Sequence, residues 1–122
     1  MSATTRKSFD APDERRTPPK GTVAVVDLHG AKVARLTLEP GWRWAESVKP
    51  IAGTETCQVR HLGVIVSGIM RVLAADGSES ELGPGAAYII EPGHDSWVVG
   101  AEPVVAFEFD AASAATFATP AS

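Results

Sequence analysis

Between residues 21 and 110 the chain alternates short apolar runs with turn residues, and no run is long enough for a helix of a bundle. Runs at 23–28 and 32–39 flank His29-Gly30 and predict two strands joined by a tight turn. Pro40-Gly41 ends the second, and 42–48 predicts a third strand with Trp42, Trp44 and Glu46 on one face. A long strand over 54–66, interrupted at Gly63, is followed by Ser67-Gly68 and a strand at 69–74. Asp76-Gly77 is the strongest hairpin signal in the chain. The acidic stretch 76–81 is expected to be the tip of that hairpin, and Gly83-Pro84-Gly85 is a further break. Strands at 87–90, 96–99 and 104–109 complete the set. So many short strands in about ninety residues predict an all-β domain, a double-sheet jelly roll or a small Greek-key barrel.

The ends read differently. Residues 1–20 are polar, hold three prolines and carry Phe9 as their one bulky apolar residue beyond Met1, so they predict an extended or flexible arm. Phe9 is placed to pin that arm against its own barrel or a partner subunit. Residues 21–110 are the barrel domain, and 111–122 are an Ala/Ser/Thr-rich tail in which Phe117 can anchor a short helix.

Composition narrows the class. The 122 residues include eleven Gly and nine Pro, an excess that favours turns over helix, and they fit one domain. A net charge of −4 disfavours nucleic acid as a partner. The longest uncharged apolar run, 62–70, is far below the roughly 20 residues that span a membrane, and the first residues lack the apolar stretch of a secretory signal. With a single cysteine there is no internal disulfide, and a cytoplasmic location is expected.

Candidate chemistry lies in two places. If the 54–66 strand is regular, Glu55, Cys57, Val59 and His61 share one face. Turned into a barrel, that face offers a carboxylate, a thiol and an imidazole, all ligands for a borderline metal. Without metal, a buried carboxylate–imidazole pair is a general acid or base, with His61 and His94 as the proton-transfer candidates. The second place is Glu91-Pro92-Gly93-His94-Asp95-Ser96-Trp97, a tight turn before a strand, from which His94 is positioned to add a ligand. Asp95 either orients a histidine or caps the turn. Trp42, Trp44 and Trp97 are candidates for an apolar ligand pocket, against the plainer reading of core packing. Lys49 and Arg60 have the charge to neutralise an anionic ligand, but such side chains are mostly solvated.

Pro40-Gly41, the polar strand at 55–61, Val64-Ile65-Val66-Ser67-Gly68, Asp76-Gly77, Gly83-Pro84-Gly85 and Ile90-Glu91-Pro92-Gly93 together resemble the two motifs of the cupins over residues 40–110. The resemblance implies a double-stranded β-helix barrel, often dimeric and often with a central metal. The ligand positions depart from the family pattern. His61 stands where the motif has Glu, Cys57 and Glu55 stand in place of its two histidines, and Ser96 takes the place of the third, with His94 two residues earlier. Glu91 replaces the first Pro of the second motif. The implied metal set is therefore Glu55, Cys57, His61 and His94, with zinc, iron, nickel or manganese as the divalent metal.

Three functions follow: a metal-dependent cupin acting on a small organic molecule, a metal-free acid/base enzyme of the isomerase or dehydratase type, and a non-catalytic small-molecule sensing domain. Whether the chain is an enzyme is left open by the sequence. Exposed edge strands and the polar arm favour a homodimer.

Overall fold

The structure, a computed structural model, describes residues 3–109 and 117–118. Most of the expected tail therefore lies outside the described residues. Alternation of apolar and polar positions over residues 21–28 and 31–38 produces two eight-residue strands, β2 (Gly21–Leu28) and β3 (Ala31–Leu38), in an antiparallel hairpin. His29 at φ 55° and Gly30 at φ 96° make its turn, the primed geometry that matches the twist of the flanking strands. Ahead of them β1 (Glu14–Arg16) pairs with β2, and Phe9 packs its ring 5.4 Å from that of Phe107. The arm is thus folded onto its own barrel.

After Pro40-Gly41 the structure departs from the expected third strand. Residues 44–52 form two helical turns, α1 (Trp44–Ser47) and α2 (Lys49–Ala52). The reason is the spacing of what is buried. Trp44, Ser47, Val48 and Ala52 are buried at intervals of three and four, the period of a helix, and the alternation of Trp42, Trp44 and Glu46 is incidental. Pro50 sits in the first turn of α2, and Gly53 at φ 78° ends it in the left-handed conformation.

The expected strand over 54–66 is shorter as well. Regular pairing begins only at β4 (His61–Ser67), and residues 54–60 are held by local bonds such as Thr54 Oγ1 donating to the Thr56 carbonyl at 2.7 Å. Then follow β5 (Ile69–Leu73), β6 (Glu79–Leu82), β7 (Ala87–Ile90), β8 (Asp95–Val99) and β9 (Val104–Glu108). The Asp76-Gly77 hairpin joins β5 to β6, with Gly77 at φ 88°, but its tip is confined to the residues before Glu79, because Glu79 and Glu81 are paired strand positions.

The strands make two sheets. One has the order β1-β2-β3-β9-β4-β7, and the other the order β6-β5-β8. All the pairings are antiparallel. Inward positions of the two sheets pack together: Leu36, Leu38, Ile65, Val104 and Ala106 from the first, Met70, Val72 and Val98 from the second. Burying each large aliphatic side chain contributes about 1.5–3 kcal/mol, so this shared interior is the main source of stability. The site lies where that apolar interior is interrupted.

Candidate metal centre in the barrel

Two segments far apart in sequence build the site. The chain around Cys57 and the turn before β8 are locked by a reciprocal bridge. Cys57 N donates to the His94 carbonyl at 2.9 Å, and Gly93 N donates to the Cys57 carbonyl at 2.7 Å. Gly93, at φ 94°, permits the tight turn that aims His94 inward. Residues 57, 59 and 61 then alternate into the interior, so that Cys57 and His61 meet His94. One donor atom from each of Cys57, His61 and His94 lies within 4.8 Å of the others, and all three residues are buried. The His61 and His94 rings stand 5.1 Å apart, nearly edge to face.

The tautomers of both imidazoles follow from their other nitrogens. His94 Nδ1 is 2.8 Å from the Glu91 carbonyl oxygen, which only accepts, so Nδ1 carries the hydrogen. His61 Nδ1 is 2.7 Å from Glu108 Oε1 and donates to it. When the rings are neutral, both Nε2 atoms are left with lone pairs, and His61 Nε2 faces Cys57 Sγ at 3.5 Å. Glu108 in turn accepts from the Tyr88 hydroxyl on Oε2 at 2.6 Å. The result is a buried chain from Tyr88 through Glu108 and His61 to Cys57.

The charges are strongly coupled. Burial pushes the Cys57 thiol up, but hydrogen bonds from His61 and His94, and their charge, draw it down to about 6. Burial disfavours the His61 cation, yet the Glu108 carboxylate and the Cys57 sulfur beside it hold the ring well above the ordinary histidine range. Burial, followed by the Glu108 charge, pushes the Tyr88 phenol far up, so it stays protonated as a donor.

Of the residues singled out from sequence, Cys57, His61 and His94 come together and Glu55 does not. Glu55 has its side chain 92% exposed and pairs with Lys49 at 2.9 Å. It fails because the segment before Cys57 is not a strand, so two-residue alternation does not reach back to position 55. Trp42 lines the interior cavity beside His61 and His94. Trp44 is buried in α1 as core, and neither it nor Trp97 lines that cavity. On β8 the inward positions are Ser96 and Val98, so Trp97 faces outward, where the Arg43 guanidinium lies 4.6 Å above its ring. Asp95 reaches across to the start of α1 instead of capping its own turn: its carboxylate accepts from Arg43, from Ala45 N and from Ser96 N. Arg60 is paired with Glu91 at 2.8 Å.

Glu108, Tyr88 and Phe117 are the site residues that sequence reasoning missed. Glu108 shares the inward parity of Val104 and Ala106, so a lone carboxylate on an apolar strand face was the available signal. Tyr88, the chain's one tyrosine, likewise shares the parity of Ile90. Phe117 packs edge-on to His61 with centroids 5.0 Å apart, and no local pattern announces that contact.

Comparison with known proteins agrees with this geometry at the level of fold. No family model matches the chain, and neither does any curated protein. Among solved structures it is similar to a Klebsiella pneumoniae protein with a double-stranded β-helix domain, at 19% identity and a TM-score of 0.58 over 88% of this chain and 84% of that one. It is similar to the polyketide cyclase RemF from Streptomyces resistomycificus, at 18% identity and a TM-score of 0.58 over 87% and 77%. A third likeness is to the Bacillus subtilis oxalate decarboxylase, a protein with Mn(II) centres, at 22% identity and a TM-score of 0.52 over 80% of this chain and 27% of that one. The chain therefore has a double-stranded β-helix fold, as the resemblance to cupins implied. Within that fold it carries a cluster of one thiol and two imidazoles with the donor types of a metal centre.

Proposed function

We propose that the chain holds one divalent metal ion on Cys57 Sγ, His61 Nε2 and His94 Nε2, and that the barrel also binds a small organic molecule. The observation that carries this reading is the orientation of the two imidazoles. Each has its Nδ1 hydrogen committed to an oxygen, so on release of the one proton that the Cys57–His61 pair shares, a thiolate and two lone pairs converge in a buried interior. Charge supports it too, since a thiolate and the Glu108 carboxylate balance a divalent cation in a place where net charge is costly. Three protein donors leave a fourth position open, the pattern of catalytic rather than structural zinc. Thiolate with imidazole favours zinc over manganese, which prefers oxygen ligands. When bound, such a metal supplies Lewis acidity toward a carbonyl or hydroxyl oxygen. The chain's own residues hold and orient it: Glu108 fixes the His61 ring, Tyr88 fixes Glu108, and Phe117 excludes water from one side.

Elemental analysis of untagged protein purified without chelator tests the proposal. About one zinc per chain is expected, falling to less than about a tenth in His61→Ala. Folded wild-type protein that takes up no metal even after it is added back contradicts it. A second reading draws on the 3.5 Å Cys57–His61 contact continued to Glu108: a metal-free proton-transfer site with His61 as the acid or base. It gains only if the metal-free protein is the form that turns over substrate.

A further inference from the structure

The cavity that touches the metal-ligand cluster is small. Lined by Trp42, His61, His94, Glu108 and Phe117 among others, it offers about 20 Å³, room for one water or an ion and not for an organic molecule. A second hollow of about 420 Å³ lies next to it, within the usual range of about 300–1,000 Å³ for small-molecule sites. Tyr88 and Ile90 line both. The larger hollow follows the seam between β6 and β7, which end their respective sheets and are not paired with each other, so the barrel is open there by construction. Its walls are Val72 and Leu82 from one sheet, Ala74 and Ala75 from the hairpin, and Tyr88 and Ile90 from the other sheet. The lining contains no lysine, arginine or histidine, and it does contain the carboxylates of Asp76 and Glu91. Arg60, outside the lining, pairs with Glu91 at 2.8 Å and offsets its charge, and Arg71 faces Glu79 and Glu81.

We propose that this seam groove, and not the barrel interior, receives the organic ligand, and that the ligand is an uncharged, largely apolar molecule of about the size of a few fused or linked aromatic rings. The walls supply the burial that favours such a molecule. Asp76, whose carboxylate is met by Ser78 and not by a cation, disfavours an anion, while Glu91 is offset by Arg60. Tyr88 stands between the groove and the His61–Glu108 pair, so a ligand seated here meets the cluster at the phenol end of the buried chain. The inference goes beyond the metal reading: it names a second site, joined to the donor cluster through Tyr88, Glu108 and His61, that stands whether or not metal is bound.

Two dyes of nearly one shape separate the possibilities. N-phenylnaphthylamine is uncharged, and anilinonaphthalene sulfonate adds one negative charge. Fluorescence titration of the full chain is expected to give a single site for the neutral dye, bound at least about tenfold more tightly than the sulfonate. Ser80 lies on β6 opposite Val72 and lines the groove, so Ser80→Trp fills it at an exposed edge position that tolerates an aromatic residue. That variant should lose the neutral dye while retaining its zinc. Asp76→Asn should bring the two dyes to within about threefold of each other. Cys57→Ser should lose zinc and keep the dye, so failure of the metal reading and failure of the groove are read separately. Equal binding of both dyes by the wild type, or neutral-dye binding unaffected by Ser80→Trp, overturns the proposal, as does the absence of any dye binding.

Discussion

Glu108 is the residue on which the electrostatics of the site turn. It is buried to 2% exposure and joins Tyr88 to His61, so its loss would leave two buried donors without their acceptor. Glu108→Gln keeps the shape but loses the charge that orients His61. It should weaken zinc binding about 10–100-fold, measured by competition with a chromogenic chelator, while leaving the protein folded. Tyr88→Phe removes only the donor to the far carboxylate oxygen and should have a smaller effect. If both variants bind zinc as the wild type does, Glu108 does not act through His61. At this scale the sequence was readable where a residue type is rare for its setting. A thiol and an imidazole of one strand parity, and a histidine behind Pro-Gly, were visible, whereas Glu108 is a common residue type in a strand with no motif around it. Glu55 misled for the opposite reason: its side chain belongs to an irregular segment whose partner, Lys49, satisfies it at the surface.

Among elements, β4 binds fold and site most closely. Gly63 sits at its centre, and a Cβ there would lie 2.5 Å from the Phe107 carbonyl oxygen, 2.8 Å from the Tyr88 hydroxyl and 2.9 Å from Glu108 Cγ. The missing side chain leaves space for the Tyr88–Glu108 pair, so the apparent interruption of the strand is a clearance. Gly63→Ala should destabilise the protein by about 1–3 kcal/mol in urea unfolding and also weaken zinc binding, because the overpacking falls on the pair that orients His61. A purely local effect on the strand would lower stability and leave zinc affinity unchanged. Strand existence was legible throughout most of the barrel because alternation and Gly/Pro punctuation are local signals. The helical turns over residues 44–52 were not, since Trp and Val suit a strand by propensity and only tertiary burial selects the other period.

For the whole molecule, the arm and the far end of the chain meet behind the site. Arg16 in β1 donates through Nη1 to the Phe117 carbonyl at 2.7 Å, and Phe117 packs against His61. Arg16→Ala is therefore expected to cost about 1–3 kcal/mol in thermal or urea unfolding, more than an ordinary surface arginine; a change below about 0.5 kcal/mol would show that the arm does not brace this end. Contacts of this reach cannot be read from a single sequence, because nothing local ties position 16 to position 117. The same holds for the donor set, which exists only when the bridge between Cys57 and His94 closes. Titration of the metal-free protein with cobalt(II), followed by absorption spectroscopy, tests that set most directly. One equivalent is expected to bind, with an intense thiolate-to-cobalt charge-transfer band and the strong visible bands of a tetrahedral site, the charge-transfer band being lost in Cys57→Ser. A wild-type spectrum with only the weak bands of an octahedral, oxygen-ligated cobalt ion, unchanged by Cys57→Ser, would contradict that donor set.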